Sequence, residues 1–339
     1  MQNPIDYDCF VANKNAGNKS NITIVSRDQE TFVLPRHGYS LIGSVNGLVC
    51  LLVCPKRVSL WNPAIRQSME FNLPPERGYS RYPTLIGAGF DPVSNDYKVV
   101  VCYSLLDFCA VYSSNSTSWI QLSVPHHELL MEKNEKSIFV PATYVKDCPY
   151  WTYSTYSDDE IKLLTFGTTC FFGTYPSVKK NFVKSLIALK FDATSNKFKW
   201  LPEFIPDAQS REHRMYFKFV NMRDLLALLA YRPSATGKLD VYCLDEETGC
   251  DAWIKMHQVG PFEQFERFQY LQQGFKYGEE IVFFENHKIR YYDHKTKTFK
   301  CLLGEDAFQL SNLFTYTPPY GLASRNEVRL YRQPNPSTW

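Results

Sequence analysis

The sequence lacks any long apolar run. The longest, LLALLAY at Leu225–Tyr231, is far shorter than the roughly 20 residues that a membrane-spanning helix needs. The first residues also lack the apolar segment that a secretory signal peptide carries after its basic start. We therefore expect a soluble protein without a membrane partner, located in the cytoplasm or the nucleus.

The chain has no excess of charge of either sign. Its 37 Lys and Arg residues nearly balance its 35 Asp and Glu residues, for a net charge of +2. A protein that binds nucleic acid through phosphates normally shows a basic imbalance. The basic and aromatic tract HKIRYYDHKTKTFK at 287–300 could bind single strands, but its aromatics fall at core positions of a repeat described below. We expect no nucleic-acid partner.

The ten cysteines do not form a metal-binding or disulfide pattern. Cys50 and Cys54 are four residues apart, but no second Cys or His pair follows at zinc-site spacing. Cys50, Cys54, Cys102 and Cys243 lie inside apolar runs, where a thiol behaves as a small hydrophobic group. In a chain that is not secreted the thiols stay reduced. We expect no metal, no cofactor and no disulfide.

Helical periodicity is almost absent, and short strand-like runs bounded by Gly, Pro, Asn, Asp and Ser recur instead. The stretch SVNGLVCLLVCPKRVSLWNPAIRQ at Ser44–Gln67 illustrates the pattern. Asn46-Gly47 is a hairpin turn dipeptide, Leu48–Val53 and Val58–Trp61 are strands, and Pro63 ends the second one. Val220–Tyr231 is ambiguous, because it could form a short helix or a turn followed by one buried strand.

A repeated hairpin is the most informative feature. Each copy is a strand, a polar turn and a second strand opened by a bulky residue. The copies are VSLWNPAIRQSMEFNLP at 58–74, AVYSSNSTSWIQLSVP at 110–125, IALKFDATSNKFKWLP at 187–202, DVYCLDEETGCDAWIKM at 240–256 and IRYYDHKTKTFKCLL at 289–303.

The spacing of the copies favours a β-propeller. The aromatic anchors of the first strands are Trp61, Tyr112, Phe191, Tyr242 and Tyr292, at intervals of 51, 79, 51 and 50 residues. A blade of the kelch type repeats at about 50 residues. The longer interval places an insertion within Tyr144–Lys184, and ITIVSRDQETFVL at Ile22–Leu34 adds an irregular unit. We predict an all-β propeller of about six blades, with the anchors packed between blades as core.

These motifs resemble one family in their order along the chain. NGLVCL, LWNPAIRQ and GFDPVSNDYKVV, followed by VYSSNSTSWIQL, DVYCLDEETGCDAWIKM and GEEIVFFENHKIRYYDHKTKTFKCL, resemble the F-box-associated domain of plant F-box proteins of the S-locus and F-box/kelch types. The resemblance covers about Tyr39 to Ala323. It implies a kelch-like propeller that captures a target protein for a ubiquitin ligase, with a Skp adaptor and a cullin as partners.

The sequence differs from this family in one respect. The helical F-box that docks on the Skp adaptor is not evident in Met1–Pro35, which is strand-like. Either an F-box lies upstream, or the chain is a stand-alone or degenerate relative without ligase coupling. We divide the chain into residues 1–38, as an irregular blade or the remnant of an F-box linker, a propeller domain at 39–325 and a C-terminal tail at 326–339.

No catalytic constellation emerges from the sequence. His126-His127-Glu128 is the densest histidine cluster, but adjacent residues on an extended strand point to opposite faces. Asp158-Asp159-Glu160 is more typical of a solvated turn than of an acid–base pair. No phosphate-binding loop or nucleophile motif occurs in its required context. A propeller enzyme is therefore the weakest interpretation, and we expect no catalytic residue.

Loops rich in Tyr, Trp and Arg are the candidate binding surface, since these residues dominate hot spots at protein interfaces. Three stretches qualify: 76–83, the insertion with its segments 150–160 and 170–182, and 203–216. The alternative is that the insertion packs its aromatics against its own blade. The candidate residues are Arg77, Tyr79, Arg81, Tyr82, Tyr150, Trp151, Tyr153, Tyr156, Phe171, Phe172, Tyr175, Arg211 and Arg214.

Overall fold

The computed structural model describes residues 9–316 with gaps in the connections. The gaps are 17–18, 27–30, 35–38, 54–55, 64, 66, 75–82, 84, 104–105, 107, 126–139, 157–160, 164–182, 207–215, 223, 233–236, 246–251, 261–273, 278–279, 286–287, 294–295, 297 and 302–309. Side chains are described mainly between 42 and 259. Within these residues no helix is long and apolar enough to cross a membrane.

The described residues form strands throughout. In chain order they are β1 Cys9–Ala16, β2 Lys19–Ser26, β3 Thr31–Leu34, β4 Tyr39–Val45, β5 Leu48–Val53, β6 Arg57–Asn62, β7 Gln67–Asn72, β8 Leu85–Asp91, β9 Asp96–Tyr103, β10 Phe108–Ser113, β11 Ser118–Leu122, β12 Val140–Pro141, β13 Thr143–Val145, β14 Cys148–Tyr156, β15 Ile161–Leu163, β16 Val183–Asp192, β17 Lys197–Trp200, β18 Tyr216–Met222, β19 Leu225–Arg232, β20 Lys238–Asp245, β21 Ala252–Val259, β22 Gly274–Tyr277, β23 Glu280–Glu285, β24 Lys288–Asp293, β25 Thr298–Cys301 and β26 Leu310–Tyr316.

Antiparallel meanders of four strands recur along the chain. One sheet is β4-β5-β6-β7, the next is β11-β10-β9-β8 with β12 added beside β8, and the third is β13-β14-β16-β17 with β15 beside β14. An eight-stranded sheet follows, in which the meanders β18–β21 and β22–β25 join through the parallel pair Asn221 and Phe275. The last sheet has the order β26-β1-β2-β3, so β26 completes the sheet that β1 begins.

Local turn chemistry explains the first hairpin. Asn46 and Gly47 have φ angles of 39° and 77°, which suit a two-residue turn of the primed type. Val45 pairs with Leu48 across this turn, and β6 ends at Asn62, immediately before Pro63. The hairpin predicted from Ser44–Gln67 is therefore confirmed.

The same aspartate-centred turn occurs twice in the chain. In DPVSND, the Asp91 carboxylate accepts a hydrogen bond from the backbone N–H of Val93 at 3.0 Å. In DATSNK, Asp192 accepts one from the N–H of Thr194, also at 3.0 Å. Asn95 and Asn196 each follow with positive φ, a conformation that Asn tolerates better than most residues. The shared Asp-x-x-Ser-Asn sequence therefore gives the same turn at two different places in the meanders.

All five repeated hairpins are third and fourth strands of meanders. They form the pairs β6·β7, β10·β11, β16·β17, β20·β21 and β24·β25. The stretch Val220–Tyr231 crosses from β18 to β19, with a turn at Asp224 and a buried strand after it. The strand interpretation of this stretch is correct and the helix interpretation is wrong.

The core lies between successive sheets. One apolar cluster joins Leu60 of β6 and Tyr112 of β10, a second joins Cys102 of β9 and Leu189 of β16, and a third joins Leu186 of β16 with Phe219 of β18. Each of these sheets thus packs against its neighbours along the chain. This is the β-propeller that the repeat predicts, while the number of blades stays a prediction.

Candidate protein-binding face

The innermost strands pack closely around the axis of the propeller. The Tyr144 ring of β13 lies directly over Gly43 of β4, where any side chain would overlap it. The Tyr144 hydroxyl accepts a hydrogen bond from the backbone N–H of Ala88 in β8 at 3.0 Å. Burial raises the pKa of this phenol well above its usual range, so it stays neutral. One side chain therefore ties three blades together at the centre.

One side of the disk carries short turns between the first and second strands and between the third and fourth strands. We call it the turn face. The turns of this face that the structure describes in full include 46–47, 92–95, 114–117, 146–147 and 193–196. Lys98, itself almost buried, donates to the carbonyl oxygen of Ala193 at 2.6 Å and lies 3.8 Å from the Asp91 carboxylate. Turns of neighbouring blades are thus bonded to each other.

A polar cluster near the axis joins the turns of three blades. The backbone N–H of Asn46 donates to the Asp147 carboxylate at 2.9 Å, and the Tyr97 hydroxyl donates to the carbonyl of Asn46 at 2.8 Å. Burial raises the pKa of Tyr97 to about 12. Burial also raises the pKa of Asp147, helped by the charge of Asp224 and opposed by the Asn46 hydrogen bond. These hydrogen bonds tie the described turns of three neighbouring blades together near the axis.

Replacing Asp147 with asparagine should change how stability depends on pH. The folded-state pKa of Asp147 lies above its ordinary value of 3.8, so the folded chain binds this proton more tightly than the unfolded chain. The stability linked to it is fully present below 3.8 and is lost as pH rises through the folded-state pKa. The amide side chain of the variant would keep an acceptor oxygen without the charge. We expect Asp147→Asn to be at least as stable as the natural chain at pH 7, and to lose this advantage in acid.

Urea unfolding of both chains over a series of pH values measures this effect. Asp224→Asn is the matched control, since it removes the neighbouring charge and should shrink the pH-dependent difference without touching the Asn46 bond. A difference in unfolding free energy that stays constant from neutral to acidic pH would show that the Asp147 carboxyl is not perturbed.

Indole hydrogen bonds join the rims of consecutive blades, and the sequence reasoning missed them. The Nε1–H of Trp119 donates to the carbonyl of Asn72 at 2.9 Å, that of Trp200 to Pro125 at 2.8 Å, and that of Trp253 to Pro202 at 2.9 Å. Each Trp lies in the fourth strand of its meander, and each acceptor is at or just beyond the fourth strand of the preceding one. The recurring Trp of SWIQL, FKWLP and AWIKM was the available signal.

Replacing Trp253 with phenylalanine removes one such bond while keeping a ring against Phe204 and Phe219. A hydrogen bond of this kind contributes about 1 kcal/mol, and the Pro202 carbonyl would lose a partner. We expect Trp253→Phe to lower the free energy of unfolding by about 1–2 kcal/mol in urea titrations. Ile254→Ala, at the exposed neighbouring position, is the control and should change it little. Equal effects of the two variants would refute a role for the indole N–H.

The opposite side of the disk, which we call the loop face, carries the long connections. There the chain leaves β7 at Asn72 and returns in β8 at Leu85, and it leaves β17 at Trp200 and returns in β18 at Tyr216. The connections from β11 to β12 and from β21 to β22 start on the same side, because each also leaves a fourth strand. The connection that follows β15 returns to this side, because β16 begins opposite the end of β14. Chain length is thus concentrated on one face.

Most of the predicted binding residues belong to these connections and lie outside the described residues. They are Arg77, Tyr79, Arg81, Tyr82, Phe171, Phe172, Tyr175, Arg211 and Arg214. Tyr156 ends β14, where only the backbone is described. The clusters His126-His127-Glu128 and Asp158-Asp159-Glu160 also lie outside. Within the described part of the chain, no group of three His, Cys, Asp or Glu side chains could hold a metal ion.

Three of the candidates are buried, although a role in binding would require them to be partly exposed. Tyr150, Trp151 and Tyr153 are 4%, 0% and 3% exposed. They lie in β14, the second strand of its meander, which has β16 on one edge and β13 and β15 on the other. Both faces of this sheet are covered, so its aromatics pack into the core. Trp151 and Tyr153 share a cluster with Cys102 of the preceding sheet, and Tyr150 shares one with Phe219 of the following sheet, so these three aromatics form part of the core between blades.

The insertion builds an extra strand. The chain turns back after β14, and β15 pairs with Tyr153–Thr155 before the connection to β16.

Among the repeat anchors, Trp61, Tyr112 and Phe191 are buried, and Tyr242 is partly buried against Phe204, with ring centroids 4.8 Å apart. Tyr292 of β24 pairs with Phe299 of β25, and its side chain lies outside the part of the chain that the structure describes.

Comparison with known proteins extends these observations. Over 166 residues the chain is 27% identical to an F-box/kelch-repeat protein of Arabidopsis thaliana. The matched region covers 45% of this chain and 45% of that protein. Over 85 residues it is 31% identical to a second protein described as an F-box protein of the same plant, covering 24% of this chain and 23% of that one. The chain thus matches less than half the length of these relatives.

Solved structures are similar only at a distance. An oligogalacturonate lyase in complex with manganese has a TM-score of 0.42 and 8% identity over 83% of this chain and 70% of its own. The Cps50 (Swd1) β-propeller domain of Myceliophteria thermophila has a TM-score of 0.41 and 8% identity over 90% and 89%. Likenesses at this level carry no functional weight. The profile of the F-box associated beta propeller domain, in contrast, matches residues 7–311. The chain belongs to the F-box associated β-propeller domain family.

Proposed function

We propose that this chain is the substrate-recognition module of a Skp–cullin–F-box type ubiquitin ligase, and that it captures its target protein on the loop face. The observation that carries the proposal is the asymmetry of the disk. Hydrogen bonds between Asn46, Tyr97 and Asp147 tie described turns of three blades together on the turn face, whereas the long connections from β7 to β8 and from β17 to β18 leave from the other side. Binding residues concentrate on loops held by a rigid scaffold.

The loop segments have the composition of an interface. The connection from β7 to β8 contains Arg77, Tyr79, Arg81 and Tyr82, and the connection from β17 to β18 contains Arg211 and Arg214. Tyr and Arg combine a large contact area with directional hydrogen bonds, and a few such residues carry most of the energy of a protein interface. Both connections start from fourth strands held by indole bonds at Asn72 and Pro202. The loops would therefore be presented by fixed ends.

Coupling to a ligase is a separate part of the proposal. The curated relatives are named F-box proteins, and an F-box would supply the contact with a Skp adaptor and through it a cullin. A second candidate is a stand-alone interaction propeller without ligase coupling. The observation that keeps it open is that β1, β2 and β3 occupy most of residues 9–34, so this stretch is part of a sheet and does not itself form the helical element that binds an adaptor.

An enzymatic role has little support in the described residues. Catalysis on a propeller would need acid, base or metal-binding groups converging at the axis. Near the axis, Tyr144 fills the space over Gly43 and its hydroxyl is already hydrogen-bonded. We propose a binding protein that is not an enzyme and needs no cofactor.

Affinity capture tests the two parts together. The tagged chain would be incubated with Arabidopsis cytosol under proteasome inhibition, and the bound proteins quantified by mass spectrometry. One variant changes Arg77, Tyr79, Arg81 and Tyr82 to alanine, and a second changes Arg211 and Arg214. Val93→Ser is the matched control, since Val93 is 83% exposed on the turn face.

The outcomes separate the alternatives. We expect at least one specific partner to fall by about tenfold or more with a loop-face variant and to be retained by Val93→Ser. If the captured amount of every partner is unchanged by both loop-face variants, the binding surface lies elsewhere. A Skp adaptor and a cullin among the captured proteins support ligase coupling, whereas their absence beside a loop-dependent partner supports the stand-alone module.

A further inference from the structure

The strands β9 and β10 bring two cysteines face to face. Cys102 of β9 pairs directly with Cys109 of β10, and both are free thiols that are almost completely buried. The Cys109 thiol donates weakly to the carbonyl of Leu106 at 3.9 Å. The cysteine pair lies next to the last pair of the hairpin, Tyr103 and Phe108, at the end nearest the loop face.

This placement is close to the geometry that a disulfide requires. Directly opposed residues of antiparallel strands have Cβ atoms about 4.5–5.5 Å apart, whereas a disulfide needs about 3.5–4.5 Å. Cys102 and Cys109 are directly opposed, so a local adjustment of about 1 Å at the end of the hairpin would bring the sulfurs to bonding distance. The buried thiol of Cys50 in β5 lacks such a neighbour on its sheet, because it lies opposite Gly43 and Leu60.

A third polar group completes the cluster. The Tyr153 hydroxyl is buried and has no hydrogen-bond partner within the described part of the chain. Tyr153 belongs to the same buried cluster as both cysteines. A buried hydroxyl can donate to a sulfur that becomes negative during thiol exchange. The core at this position therefore holds the reacting pair and a potential donor together.

We propose that Cys102 and Cys109 form a cross-strand disulfide when the protein meets a small-molecule disulfide such as oxidised glutathione. One thiolate attacks the small disulfide, forms a mixed disulfide and releases one thiolate that takes up the proton. The second cysteine then attacks the mixed disulfide and releases the second small thiol. The two cysteines lose two electrons and two protons in total, and one small disulfide becomes two thiols.

Burial sets the rate of this reaction. Desolvation raises the pKa of Cys102 well above its usual range, and the neighbouring Cys109 raises it further. Thiolate is the attacking species, so the exchange proceeds through local opening of the end of the hairpin. Formation is therefore slow and speeds up in mild urea. The closed disulfide is equally sheltered from reductants.

The consequence lies at the loop face. Leu85, Cys102, Cys109 and Leu122 form one row across the sheet, and Leu85 is where the chain returns from the segment with Arg77, Tyr79, Arg81 and Tyr82. A covalent link in this row would hold β9 and β10 together beside the strand to which that segment returns. This inference does not depend on the identity of a captured protein.

Peptide mapping of the full chain tests the proposal. The protein is equilibrated in glutathione buffers of increasing oxidised fraction, with and without mild urea, then acid-quenched, denatured and alkylated. Trypsin releases Val99–Lys133, which holds Cys102 and Cys109 and no other cysteine. We expect this peptide to lose the mass of two hydrogens and to resist alkylation until it is reduced, while Cys50 stays alkylated.

The variant Cys109→Ser is the matched control, because it leaves Cys102 without a partner thiol. We expect alkylation of Cys102 in this variant to exceed that in the natural chain by at least about tenfold in the most oxidising buffer. The proposal is overturned if both cysteines of the natural chain remain alkylated or carry glutathione at every ratio, including after refolding from urea in oxidising buffer.

Discussion

Replacing Trp151 with alanine should lower the free energy of unfolding by about 3–5 kcal/mol. The side chain is 0% exposed and belongs to the apolar cluster that also contains Cys102 and Leu189. Its Nε1–H donates to the carbonyl of Ile86 in the neighbouring sheet at 3.4 Å, and its ring lies 6.3 Å from that of Phe198. Truncation would leave a cavity and remove this hydrogen bond between the two sheets.

Urea unfolding followed by circular dichroism measures this loss. Ile120→Ala is the control, since Ile120 is 52% exposed on β11 and its truncation should cost less than about 0.5 kcal/mol. A loss below about 1 kcal/mol for Trp151→Ala would contradict the packing described here. The variant is also unsuitable as a probe of partner binding, because any lost binding would follow from lost folding.

A methyl group at Gly43 should be nearly as damaging. Alanine there would overlap the Tyr144 ring, which is held in place by its hydrogen bond to Ala88. The ring cannot swing outward freely, since it is packed in the same cluster as Val49 and Leu51. Overpacking of a dense core typically costs about 1–3 kcal/mol. We expect Gly43→Ala to lower the free energy of unfolding by about 3 kcal/mol, the upper end of this range.

A double-mutant cycle identifies the cause. Tyr144→Leu shortens the opposing side chain, so Gly43→Ala should cost clearly less in that background than in the natural chain. Ser44→Ala, one residue along β4, adds no atoms and serves as the control. Additive costs of Gly43→Ala and Tyr144→Leu would mean that the two positions do not meet.

The hairpins could be predicted because their signals are local. Asn46-Gly47, Pro63 and the paired motifs FDPVSND and FDATSNK fix turns and strand ends over a few residues. The five hairpins share one strand–turn–strand pattern, so their spacing revealed the repeat. Pairing of β26 with β1 joins residues too distant in sequence for any such pattern.

The contacts between blades were beyond the sequence for a physical reason. Asn46 and Asp147 are 101 residues apart, and Gly43 and Tyr144 are separated by a similar length of chain. The segment YWTYSTY has the aromatic content of both an interface and a core, and composition cannot separate the two. Its burial follows from the position of β14 as a second strand with covered faces, which depends on the assembled sheets.

Pairing of β26 with β1 has a consequence for biosynthesis. Cys9 pairs with Tyr316, so β1 can pair with β26 only after nearly all the other strands of the sheets have been synthesised. Until β26 has left the ribosome, one edge of the sheet formed by β1, β2 and β3 stays open, and an open edge invites pairing with other chains. The nascent protein is therefore most vulnerable to aggregation just before β26 emerges, and chaperones that shield strand edges would act on it at that stage.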